Sequence, residues 1–235
     1  MIRNLKALGL ALAAVFALGA VIASSAAAEP AQFTVEGIGA TETAKIKGGQ
    51  TGTDTFSVGA LPPLTCKTAT LSGKAESDGA HFTSVTLEPV YSECHVVIGG
   101  IFTFPATVTM NGCAYTFNAT KNTVVGKPFT ADLTIECPIN KKIEIHVYET
   151  KAKHEKNEPI CTFDIFHQEI KNAIQLTNTP AGKITADVES APVAVHNTIL
   201  NKTCGEETFP ISIYKGNDLL EATNEVGTVK NGSVS

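Results

Sequence analysis

FPATVTMNGCAYTF, residues Phe104 to Phe117, alternates apolar and polar side chains on both sides of Asn111–Gly112. Asn-Gly between alternating runs is a strong signal for a tight two-residue turn, because both turn positions need positive φ. Such a turn sets Met110 opposite Cys113, Val108 opposite Tyr115 and Ala106 opposite Phe117. The alternation continues in Ala131, Leu133, Ile135 and Cys137. Folded back, this run places Leu133 against Phe117, Ile135 against Tyr115 and Cys137 against Cys113. After Pro138–Lys142, Ile143, Ile145 and Val147 return against Cys137, Ile135 and Leu133. A slip of one residue would turn every side chain over. The agreement predicts a four-stranded antiparallel meander over 102–148, with Phe104, Val108, Tyr115, Phe117, Leu133, Ile135, Ile145 and Val147 on its buried face. Thr107, Thr109, Thr116, Thr134, Glu136, Glu144 and His146 fall on the other face.

Working outward, shorter β-branched and aromatic runs separated by Gly and Pro predict further strands at 32–36, 55–58, 66–71, 82–87, 160–166, 173–177, 184–188, 193–200 and 210–214. His167–Leu176 has partial helical spacing, and strand is preferred there. The fold class is therefore all-β, an antiparallel meander or sandwich. Glu149–Glu158 has no large apolar residue. It reads either as a linker or as a long hairpin loop. The linker reading divides the chain into a β-rich unit at 29–150, a second at 159–222 and a tail at 223–235.

The N-terminus reads as a cleaved export signal, residues 1–28. Arg3 and Lys6 precede an uncharged apolar run from Ala7 to Ile22, and Ala26-Ala27-Ala28 gives an A-x-A site before Glu29. The expected location is secreted or extracellular. All 29 threonines follow this segment, as β structure favours. The chain holds 18 Lys+Arg against 23 Asp+Glu, a net charge of −5, and the signal removes two of the bases. That acidity argues against a nucleic-acid partner, whose phosphates need a basic stripe. No second apolar run reaches the ~20 residues of a membrane helix, so no span is expected in the mature chain. The polar end, Lys230 to Ser235, gives no anchor signal.

Six cysteines lie after the signal, with no C-x-x-C spacing among them. In an exported chain three disulfides are the simplest outcome. The meander register puts Cys113 across from Cys137, at a cross-strand Cα separation of about 4.5–5.5 Å that suits a disulfide. Cys66–Cys94 and Cys161–Cys204 follow as nearest neighbours, among the many pairings six cysteines allow.

The runs TCKTATLSG (Thr65 to Gly73), YSEC (Tyr91 to Cys94), ATVTMNGCAYTF (Ala106 to Phe117), Cys137-Pro138, Cys161 and KTCG (Lys202 to Gly205) carry a resemblance. The chain resembles a set of uncharacterised exported, cysteine-paired, β-rich proteins of soil-type high-GC Gram-positive bacteria. The likeness covers most of the mature chain, and TMNGCAYTF is its most specific piece. It implies export and paired cysteines. It implies no activity, ligand or catalytic residue.

Two constellations could carry chemistry. Asp164, His167 and His196 could be assembled with a serine, although no G-x-S-x-G elbow occurs. Glu136 faces Glu144 in the meander register with His146 beside them and Lys142 near, a pattern a cation would relieve. Asn118, Asn201 and Asn231 begin N-x-[ST] triplets, which in a bacterial chain imply no glycan. The sequence assigns no catalytic, cofactor or metal residue. The expectation is a non-enzymatic extracellular or envelope interaction module with a partner outside the cytoplasm; a secreted hydrolase and a metal-dependent binder are the alternatives.

Overall fold

A computed structural model of the chain describes residues 31–36, 43–58, 61–75, 81–120, 128–198, 204, 208–223 and 229–234. The expected signal, its cleavage site before Glu29, and Asn201 lie outside the described residues.

The fold is all-β and antiparallel. After a short strand β1 (Phe33–Val35), the chain lays down eight long staves. The first runs through β2 (Ala44–Gln50) and β3 (Asp54–Ser57), the second through β4 (Leu64–Cys66) and β5 (Thr68–Ala75). A two-residue strand β6 (His81–Phe82) precedes the third, made of β7 (Ser84–Ser92) and β8 (Cys94–Ile98). The fourth joins β9 (Phe102–Thr109) to β10 (Ala114–Ala119), the fifth β11 (Phe129–Glu136) to β12 (Ile143–Val147), and the sixth β13 (Cys161–Ile165) to β14 (Gln168–Asn178). The last two are unbroken, β15 (Ile184–Asn197) and β16 (Thr208–Thr223), and β17 (Val229–Lys230) and β18 (Gly232–Val234) end the chain.

Each stave pairs with the next. The first half of the chain's long staves pair through β2–β5, β5–β7, β7–β10 and β10–β11, and through β3–β4, β4–β8, β8–β9 and β9–β12. Then β11 pairs with β14 and β12 with β13, both lead to β15, and β15 pairs with β16. Finally β16 returns to the start. Its other edge takes β2 from Asp218 to Thr223 and β3 from Ile213 to Lys215. The meander is thus a closed eight-stave barrel, which leaves no long strand edge exposed.

The four-stranded meander predicted over 102–148 needs correction. The turn is there: Asn111 and Gly112 have φ of 52° and 82°, and the Cys113 N–H donates to the Met110 carbonyl at 2.8 Å. It does not pair β9 with β10. Instead β10 pairs with β11 in the expected register (Tyr115 with Ile135, Phe117 with Leu133), and β9 pairs with β12 (Val108 with Ile145, Ala106 with Val147). A flat sheet of these four strands would strand its outer edges, whereas here β9 also meets β8 and β10 also meets β7. The apolar face survives this rearrangement because it turns inward. Phe117, Leu133, Ile135, Ile145 and Val147 are buried, and Phe104, Val108 and Tyr115 pack half-buried against them. Thr116 is the exception on the polar face, buried with its hydroxyl 2.9 Å from that of Thr86.

Segments 29–150 and 159–222 do not fold as separate units. β13 and β14 of the second pair with β12 and β11 of the first, and β16 pairs with β2 and β3. Residues 149–158 are a loop between adjacent staves, with one helical turn at Lys151–Glu155, where the Lys153 N–H donates to the Thr150 hydroxyl at 3.2 Å. His167–Leu176 contributes strand, as preferred. Within the tail, residues 229–230 pair with β16, and β18 forms a small sheet with β1 and β6. Phe33 and Phe82 stack in it at 6.3 Å, and it packs over Ile46, Val85, Ile184 and Leu220.

Three disulfides hold the staves, Cys66–Cys94, Cys113–Cys137 and Cys161–Cys204. These are the pairs read from the sequence. Each contributes on the order of 2–4 kcal/mol by restricting the unfolded chain. Outward positions such as Thr70, Ser72, Lys74, Thr86 and Glu88 are exposed and polar, and most inward ones are apolar. Among the described residues no helix is long and apolar enough to cross a membrane.

Close packing between staves makes Gly73 a sensitive point. A Cβ there would lie 2.0 Å from the Thr86 carbonyl oxygen, so the backbone of β7 would have to move. Gly73→Ala is expected to cost about 2–3 kcal/mol, and Thr70→Ala, on the outer face of the same strand, within about 0.5 kcal/mol. Urea unfolding of both variants checks this; equal stability of the two would contradict the pairing.

Candidate functional site

Strand alternation sends one side chain in two into the barrel. Most are aliphatic. At the middle of the staves, where six of the eight break, the pattern changes. Asp54 opens β3, Asp218 and Tyr214 lie on β16, Tyr91 ends β7 and Tyr115 begins β10. These five line one cavity together with residues from every stave, among them Leu71, Val108, Ile135, Ile165 and Val193. Its volume is about 60 Å³, room for several water molecules.

The polar groups are deeply placed. Asp54 is 3% exposed and Asp218 6%. Neither oxygen of Asp54, nor Oδ1 of Asp218, has a hydrogen-bond partner among the described residues. The Tyr214 hydroxyl and the Asn217 N–H stand near Asp54 without reaching hydrogen-bond geometry. Tyr91 donates its hydroxyl to that of Tyr115 at 3.2 Å. No lysine, arginine or histidine lines the cavity among the described residues.

Burial disfavours the charged form of each group. It pushes Asp218 up to about 7, with the neighbouring Asp54 adding to the rise. It also raises Asp54, against the pull of Tyr214 and Asn217. Tyr115 is pushed up to about 12 by burial, and Tyr91 and Tyr214 are raised well above the usual phenol range, again first by burial. An apolar cavity with a few convergent polar groups of shifted pKa is the signature of a binding site.

The residues singled out from the sequence stand elsewhere. Asp164 and His196 do meet as partners across β13 and β15. They point outward, because Phe163, Ile165 and Val193 take the inward positions. Asp164, 1% exposed, is held by the Lys142 ammonium at 2.6 Å, and His167 is exposed on the break between β13 and β14. The hydrolase set therefore does not face the interior cavity. The proposed facing of Glu136 and Glu144 is not formed, because β11 and β12 do not pair. Glu136 lies opposite Ala114, and Glu144 opposite Thr109 and Asp164. Glu144 accepts from Asn111 Nδ2 at 2.8 Å, which together with Lys142 holds its carboxyl below the usual range. His146 Nδ1 is 3.3 Å from the Tyr148 hydroxyl. These are wall contacts.

Raised carboxyl groups give an unusual pH dependence. Between about 4 and 7 the folded chain keeps a proton on Asp218 that the unfolded chain has lost. Stability from this group is fully present on the acid side and falls as pH rises through that window, by about 1.4 kcal/mol per unit for one group. Asp54 acts in the same direction. The lowered Glu144 acts oppositely, and only below about pH 4.5. Urea unfolding from pH 5 to 8 is expected to show stability decreasing with pH, and Asp218→Asn to flatten the slope. A rise over that range would contradict a raised Asp218.

No family model, no curated protein and no solved structure matches this chain, so the reading of the cavity rests on its residues and their geometry.

Proposed function

We propose that this chain, exported and cleaved before Glu29, is a non-enzymatic binding module outside the cytoplasm, and that its binding site is the interior of the barrel. The observation that carries the reading is the interior cavity lined by two buried carboxyl groups, three of whose four oxygens have no hydrogen-bond partner among the described residues. Burying such groups costs about 1–3 kcal/mol each even when neutral, and more when charged. A fold that needed only a core would place an aliphatic residue at these positions, as it does at Leu71 and Ile135. Three disulfides suit an oxidising compartment. The outer wall, polar and laced with ion pairs such as Lys171 with Asp132 at 3.0 Å, suits water on the outside.

The interior should admit a small guest. Xenon titration followed by methyl NMR is expected to shift Leu71, Ile135, Ile165 and Val193, and to leave exposed Val90 unmoved. His196→Ala, on the outer wall, should give the same response. No interior shift, or shifts confined to the surface, would overturn the proposal.

A further inference from the structure

Two buried carboxyl groups line one cavity with no basic side chain beside them among the described residues, and this points to the chemistry of the guest. We propose that the cavity binds a small organic cation, a short alkyl chain ending in a protonated amine, with the ammonium between Asp54 and Asp218 and the alkyl part against the aliphatic wall. The proposal rests on the reading of the interior as a binding site and names its ligand class.

Four observations carry it. Both carboxylates are more than nine-tenths buried, and both line the same cavity. Three of their four oxygens have no hydrogen-bond partner among the described residues. Among the described residues no basic side chain lines the cavity, so these carboxyl groups are neutralised either by holding protons or by a cation from outside the fold. Water can donate hydrogen bonds to a carboxylate but leaves its charge in place. The remaining polar groups are compatible with a cation: Tyr91, Tyr115 and Tyr214 line the cavity, and a hydroxyl oxygen can accept from an ammonium. An anionic guest would meet two like charges. The volume, about 60 Å³, lies well below the roughly 150 Å³ that holds benzene in an apolar cavity, which limits the guest to a few carbon atoms.

The test compares propylammonium chloride with 1-propanol, which has the same shape without the charge. Both are titrated into the full disulfide-bonded protein at pH 8 and constant ionic strength, with interior methyl shifts as readout. Propylammonium is expected to bind at least about tenfold tighter than the alcohol. Asp218→Asn and Asp54→Asn, each isosteric, are expected to reduce that preference to near unity. Equal affinities in the wild-type protein would overturn the cation assignment and leave the interior site standing. Binding of neither probe would overturn both. A preference unchanged in both variants would place the ammonium elsewhere and also overturn the assignment. The wild-type comparison decides the question even if one variant fails to fold.

Discussion

The structure depends on β16 having both edges paired. Leu220 sits between Ile184 of β15 and Gly48 of β2, and Tyr214 between Ala191 of β15 and Phe56 of β3. Without the pairing to β2 and β3, the same antiparallel meander would be an open sheet with one apolar face and two bare edges, prone to join other chains. With it, the inward side chains of all eight staves share one interior. The core is then one continuous cluster running from Phe33 and Val35 at one end to Val147 and Phe163 toward the other.

Closure has a cost at the middle of the staves. Six of them break there, at residues 51–53, Lys67, Glu93, 110–113, 137–142 and 166–167. Each break interrupts the ladder. Glu93, at φ 49°, and the Asn111–Gly112 turn absorb the change of direction. Two disulfides lie at these breaks: Cys66–Cys94 beside Lys67 and Glu93, and Cys113–Cys137 beside the Asn111 turn. They tie neighbouring staves where the regular ladder is interrupted, alongside single bonds such as Lys67 N–H to the Ser92 carbonyl at 3.2 Å. The third, Cys161–Cys204, fastens the connection between β15 and β16 to the start of the sixth stave. The polar cavity opens at the same level, and the weakest part of the ladder is also the part that holds Asp54 and the tyrosines.

Much of this was legible in the sequence, and the parts that were not share a reason. Alternation specifies which face a residue occupies, so the inward set of Phe117, Leu133, Ile135, Ile145 and Val147 and the β10–β11 register could be read. It does not specify a neighbour. Two strands with apolar faces look the same whether they share a sheet or face each other across an interior, so alternation alone sets β9 beside β10, where the structure has it beside β12. Separation into two units failed for the same reason, since no local pattern records that β16 returns to β2. Asp54 and Asp218 escaped notice because they lie where alternation is interrupted, Asp54 after the irregular residues 51–53 and Asp218 after Gly216. An acidic residue two or four positions from Phe56 or Tyr214 shares their inward parity, and that was the available signal. Asp164, His196, Glu136, Glu144 and His146 drew attention as chemical types, and the barrel places them on its wall.

A closed barrel with charged groups inside differs from an open sheet in one respect that can be observed directly. The decisive measurement is the set of inter-strand NOEs at β16 in the oxidised protein. Contacts from Leu220 to both Ile184 and Gly48, and from Tyr214 to both Ala191 and Phe56, are the result the account predicts. Contacts on the β15 edge alone, with fast-exchanging amides along the other edge of β16, would show an open sheet and contradict it.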